Sequence, residues 1–214
     1  MGWAYKCGVQ GLDYLAERDG AALSGSLAHA MIESHIKDGI AIIVAEDFLA
    51  TLGDKKYKKL PKEYIDNALR ESMVAFESYL AWRDTTALDI IAQEMHLVSS
   101  RYRYGGTPDA IGLVDDEDGL CLLDWKTSKD IYPEYLIQCI AYKQLWEEEH
   151  PDQPIESVRI CRFDKTKAKF EVMRFRSDFG RLWESFELML RLYDTIRLPE
   201  QRIRRRKKEM RDVV

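Results

Sequence analysis

The sequence contains no C-x-x-C pair. Its cysteines, Cys7, Cys121, Cys139 and Cys161, are widely scattered over 214 residues. That spacing argues against a zinc cluster and a disulfide framework, and predicts reduced, buried thiols. A Walker loop and a G-x-G-x-x-G element are both missing, so nothing points to nucleotide hydrolysis or a dinucleotide cofactor. Long apolar runs are missing too: the longest aliphatic one, Ile40 to Ala45, is far too short to cross a membrane. There is no basic start followed by an apolar segment, and Lys6 stands where myristoylation needs Ser or Thr. The expectation is a soluble cytoplasmic protein with no membrane partner. No internal repeat or low-complexity linker interrupts the chain.

Hydrophobic residues make up 46% of the chain and charged residues 32%, which fits one globular domain with a sizeable core. The net charge of −5 conceals an asymmetry: residues 202–214 carry seven basic and two acidic groups, leaving −10 on the 201 residues before them. Such a body does not attract nucleic acid by overall charge, so any binding must be local. The basic tail from Arg202 to Arg211 reads equally as a solvated extension or as a set of phosphate contacts. The Lys55–Lys59 run reads first as a solvated loop.

Helical periodicity predicts a helix over 3–18, a second with Leu27, Met31, Ile32 and Ile36 capped by Ser24 or Ser26, and a third over 40–51. Pro61 opens a longer one, with Ile65, Leu69, Met73, Phe76 and Leu80 expected in the core. A strand is expected between Leu88 and Tyr104, with Glu94, His96 and Val98 on one face. After a central hairpin come a helix over 132–149 and strands over 157–163 and 170–175. A helix follows with an apolar stripe of Phe179, Leu182, Trp183, Phe186, Met189, Leu190 and Tyr193. This order gives an α/β fold, a central mixed sheet covered by helices, with residues 1–87 a helical part, 88–176 the sheet and its helix, and 177–214 a helix and basic tail.

The central hairpin, Gly105 to Lys126, carries the chemistry. Asp115-Asp116-Glu117-Asp118-Gly119 separates two apolar runs and reads as a turn and nothing more. Side chains alternate along a strand, so Leu120, Leu122, Asp124 and Lys126 share one face. Asp124 and Lys126 alone could be an ion pair guarding a sheet edge. Asp109 interrupts the other apolar strand and the turn brings it beside Asp124. Two adjoining carboxylates repel, so their joint presence calls for a cation, and oxygen ligands suit Mg²⁺ or Mn²⁺.

Pro108-Asp109 followed fifteen residues later by Asp124-Trp125-Lys126 resembles the PD-(D/E)XK nuclease signature. Four further places extend the likeness to the RecB-like branch over about residues 20–150. These are the small-residue–His–x₃–Glu helix at Gly25 to Glu33, Glu94 fifteen residues before Asp109, Asp124-Trp125-Lys126-Thr127, and the Q-x-x-x-Y pair Gln138 and Tyr142. In character the chain resembles phage exonucleases of this branch and the mitochondrial genome-maintenance exonuclease. The CRISPR-adaptation nucleases of the branch hold an iron–sulfur cluster on four cysteines. The cysteines here do not follow that pattern, and no cluster is expected.

The resemblance implies a restriction-endonuclease-like core and Mg²⁺- or Mn²⁺-dependent hydrolysis of DNA, with one or two ions. Asp109, Asp124 and Lys126 are the implied catalytic residues, and His29, Glu94, Asp109 and Asp124 the metal ligands, with the Trp125 carbonyl as a further one. Tyr135, Gln138, Tyr142, Arg101, Arg103 and Lys129 are the implied DNA contacts. An exonuclease on single- or double-stranded linear ends, serving recombination, repair or phage replication, is the first expectation, with a single-strand annealing protein or a helicase as its partner. A structure-specific or restriction-like endonuclease on the same core is the alternative. From another class comes an inactive DNA-binding accessory protein, against which the intact Asp109, Asp124 and Lys126 argue.

Overall fold

The computed structural model describes residues 8–39 and 57–211; the helix expected over 40–51, and Lys55 and Lys56, lie outside the described residues. The first helix, α1 (Tyr14–Asp38), starts at Asp13, whose Oδ1 accepts from the N–H groups of Leu15 and Ala16 at 2.9 and 3.2 Å, and stops at Gly39 with φ 67°. Residues 3–7 of the first expected helix lie outside the described residues; its end, from Tyr14, runs on into the second as one continuous helix. Ser24 and Ser26 are not caps: Ser24 is fully buried, and Ser26 turns its hydroxyl back to the Ala22 carbonyl at 3.1 Å. The small residues serve close approach instead. A Cβ at Gly25 would lie 3.3 Å from Thr127 Oγ1, so α1 passes hard against the end of the central hairpin.

The second helix, α2 (Lys62–Arg83), packs on α1 through Ala68, Ser72, Ala75, Phe76, Tyr79 and Trp82. Of the expected core positions Phe76 is buried and Ile65, Leu69 and Leu80 pack half-buried against the core, but Met73 is 55% exposed. Small residues at 68, 72 and 75 let the helices approach, and Tyr79 and Trp82 reach Trp125 and Phe163 with ring centroids 5.5–6.2 Å apart.

Seven strands follow: β1 (Leu88–Gln93), β2 (Leu97–Ser99), β3 (Tyr104–Gly106), β4 (Ala110–Val114), β5 (Leu120–Lys126), β6 (Ile155–Phe163) and β7 (Phe170–Phe175), with α3 (Pro133–Glu149) between β5 and β6. The main sheet runs β1-β4-β5-β6-β7, and only the β5–β6 pair is parallel, as a helical crossover requires. The two short strands β2 and β3 form a separate ribbon. The expected strand between Leu88 and Tyr104 is therefore β1 and β2 in different sheets, and Gly105 belongs to β3. Central β5 is buried on both faces, which is why its sequence is an almost continuous apolar run. Cys121, Leu123 and Trp125 pack in the core with α1 and α2, while Leu122 joins the α3 side with Ile140 and Trp146. Each large buried side chain contributes roughly 1.5–3 kcal/mol through apolar burial.

The acidic turn is more than a turn. Glu117 accepts from Arg159, Arg174 and Arg176 at 2.8, 3.1 and 2.7 Å, and Asp116 also pairs with Arg159 and Arg174. Arg159 rises from buried β6, so its charge needs these partners. Glu117→Ala would leave three guanidiniums to one carboxylate. It is expected to destabilise the fold by about 3 kcal/mol, the cost of breaking a buried pair, with cation affinity unchanged. Urea unfolding with and without Mn²⁺ checks both parts.

The last helix, α4 (Phe179–Arg211), continues through the basic tail. Phe179, Leu182, Trp183 and Phe186 pack on the α3 side, but Met189 and Tyr193, expected in the stripe's core, are 45% and 60% exposed. The helix has outrun the body it packs against. Arg202 to Lys207 are exposed on it.

Candidate active site

Sheet and helices converge on the carboxyl end of β5. Asp109 sits just before β4, and its Oδ2 accepts from the Trp125 N–H at 2.6 Å, tying it across the hairpin. Its Oδ1 lies 3.1 Å from His29 Nδ1, which α1 supplies one turn beyond Gly25. Glu94 ends β1 in the left-handed region, φ 47°, a strained conformation for a residue with a Cβ. Its N–H bonds the Asp109 carbonyl at 3.2 Å. Ligand atoms of His29, Glu94 and Asp109 all lie within 4.8 Å of one another. That spacing is the one a shared cation would bridge.

Asp124 stands outside this group, held by Lys126, whose Nζ is 2.8 Å from Oδ1 and 2.7 Å from Oδ2. Only the Oδ1 contact is a well-directed hydrogen bond, so the buried Oδ2 is left without a donor. Lys126 also donates to Gln138 Oε1 at 3.2 Å and lies 4.8 Å from the centre of the Tyr135 ring. Gln138 Nε2 in turn donates to the Tyr142 hydroxyl at 2.8 Å. Tyr142 can lie there because Gly106 has no side chain: a Cβ would fall 2.3 Å from its ring.

The electrostatics of this cluster are unfavourable without a cation. Burial, then the charges of Asp109 and Glu33, push Glu94 up to about 7. Burial and Asp109 likewise raise Asp124, against the pull of Lys126 and His29. Burial opposes charge on His29, but the Asp109 carboxylate outweighs it and the net shift is upward. For Lys126 burial is also opposed, by Asp124, and the amine is held as a cation. Lys126 can therefore place a water or a phosphate by donating to it.

The raised Glu94, Asp124 and His29 act with one sign. Each binds protons more tightly folded than unfolded, so the stability they contribute grows as pH falls through their folded values. The metal-free protein is expected to melt higher at pH 5.5 than at pH 8, as scanning calorimetry in chelator can check. A flat or opposite trend would contradict this account of the site.

Among the DNA contacts expected from sequence, Tyr135, Gln138 and Tyr142 adjoin Lys126, and Lys129 lines the cleft beyond it. Arg101 and Arg103 do not join them. Arg101 covers the ring of its neighbour Tyr102 at 4.9 Å, within the β2–β3 loop, and Arg103 pairs with Asp194 of α4 at 2.6 Å, which ties that loop to α4. Glu33, part of the His-x₃-Glu motif but given no role from sequence, lines the same cleft as His29, Glu94 and Asp109. One further residue was passed over. Lys165, in the β6–β7 turn, reaches the cleft of Lys126 with no local signal at all.

A mixed sheet clothed by helices, with two carboxylates and a lysine on its central hairpin and a His–Glu–Asp group beside them, has the layout of a nuclease core. A family model of the PD-(D/E)XK nuclease superfamily matches residues 3–212, and the chain belongs to that superfamily. No curated protein matches it significantly. No described helix is long and apolar enough to cross a membrane.

Proposed function

We propose that the protein is a divalent-cation-dependent deoxyribonuclease of the RecB-like branch that hydrolyses phosphodiester bonds from DNA ends. The observation that carries the reading is the placement of Lys126 Nζ between Asp124 and Gln138, beside the His29–Glu94–Asp109 group. The residues fit a cation: the unsatisfied Oδ2 of buried Asp124 and the mutual repulsion of the carboxylates are both relieved by positive charge. His29, Glu94, Asp109 and Asp124 would hold Mg²⁺ or Mn²⁺, and the imidazole favours tolerance of Mn²⁺. Such an ion supplies Lewis-acid charge at the scissile phosphate and makes water easier to deprotonate.

The chain's own groups do the rest. Lys126 orients the attacking water and offsets charge developing on the phosphate, from a position fixed by Asp124 and Gln138. Gln138 and Tyr142 set the side of the cleft along which the strand passes, with Tyr135 and Lys129 further along. End-labelled linear DNA and covalently closed circles, incubated with Mg²⁺, Mn²⁺ or chelator, test the proposal. Metal-dependent loss of linear DNA with circles spared is expected. Rapid nicking of circles would establish an endonuclease instead, and no cleavage of either would leave a binding protein.

A further inference from the structure

The cleft that starts at His29 and Lys126 has a volume of about 860 Å³ and runs on past the metal-ligand group. α1 lines it through Ala21, Ala22 and His29, so beyond the histidine the space is kept open by residues with minimal side chains. Opposite are Lys129 and the paired rings of Tyr132 and Tyr135, edge to face at 5.6 Å. Lys165 closes the far side, fixed by Glu71 of α2 at 2.8 Å. Tyr132 is 39% exposed, an aromatic left in the open at the mouth of a cleft. Lys129 makes no ion pair among the described residues, and its charge stays available.

We infer that this cleft is a single-strand track: Tyr132 stacks on an unpaired base while Lys129 and Lys165 hold the flanking phosphates. The inference rests on the nuclease reading and narrows its substrate to an unpaired end. In a duplex each base face is covered by its neighbours and cannot reach a tyrosine ring, whereas a single strand offers its bases to any aromatic surface. Stacking is indifferent to base identity, because every base has a π-face. Two lysines lining one cleft suit a single backbone. A duplex needs a broad basic face, and the body before the tail is acidic.

Fluorescence anisotropy in chelator, where no cleavage occurs, tests the track. Labelled oligothymidylate of about a dozen nucleotides is expected to bind at least ~10-fold more tightly than a blunt duplex of equal length, given the weight of base–aromatic stacking. Tyr132→Ala should weaken single-strand binding ~10-fold, with Tyr132→Phe restoring it because the ring, not the hydroxyl, carries the contact. Lys129→Ala and Lys165→Ala should each reduce the salt slope of binding by ~0.7. Equal affinity for the duplex, or unchanged binding by Tyr132→Ala with a normal circular dichroism spectrum, would overturn the inference. Tight single-strand binding without metal-dependent cleavage refutes the nuclease reading alone. Cleavage of linear duplex without single-strand binding refutes the track alone.

Discussion

Lys126→Ala is expected to reduce metal-dependent DNA cleavage by about 10²–10³-fold, the usual cost of deleting one group aimed at developing charge. The substitution has a second consequence, because among the described residues Lys126 is the only well-directed donor to the buried Asp124 carboxylate. Deleting one partner of a buried pair costs about 3–5 kcal/mol when the other charge stays unpaired. Asp124 has an escape, being already pushed towards protonation by burial and by Asp109. The metal-free variant should therefore be least stable at pH 8 and recover on acidification. A divalent cation should recover it too, by taking over as the counter-charge. A purely structural lysine would predict lost stability that Mn²⁺ does not restore, and a cleavage defect no larger than the unfolded fraction. Single-turnover cleavage at saturating metal, with melting curves at pH 6 and 8, separates the cases. Unchanged cleavage would remove Lys126 from the catalytic set.

The hairpin and its charges were legible because alternation along a strand is local. Asp124 and Lys126 share a face by periodicity alone, and Gln138 and Tyr142 meet across one helical turn, as their hydrogen bond at 2.8 Å shows. What escaped was set by distant partners. The Ser24-Gly25-Ser26 segment has the composition of a cap, yet it lies within α1, where Gly25 gives room to Thr127. Nothing within the segment distinguishes a small residue that starts a helix from one that lets a helix approach a sheet. Asp116 and Glu117 look like turn formers, and their arginine partners lie 42–60 residues away. Glu94 was placed by spacing, but its aim at Asp109 comes from a positive φ that no strand pattern encodes. On α2 the expected positions face the core except Met73, and the small residues Ala68, Ser72 and Ala75 with Tyr79 and Trp82 complete the buried face.

Asp109→Asn should abolish cation binding at this site while leaving the metal-free fold at least as stable as the wild type. The expected fall in affinity exceeds about 10²-fold, since even outer-shell partners of a ligand cost 10–100-fold when removed. Stability should hold because the amide carbonyl can still accept from the Trp125 N–H, and the amide nitrogen can face His29 where Oδ1 now lies. Loss of the charge also relieves its neighbours, for Asp109 contributes to raising both Glu94 and Asp124. Wild-type stability at pH 8 is thus reduced by the very carboxylate that the cation needs. In chelator at pH 8, Asp109→Asn should melt at or above the wild-type temperature. In Mn²⁺ the order should reverse, because only the wild type gains binding energy. Calorimetric titration with Mn²⁺ supplies the affinity directly. Wild-type affinity in this variant would mean that Asp109 is no ligand, and that its bonds to His29 and Trp125 serve the fold alone.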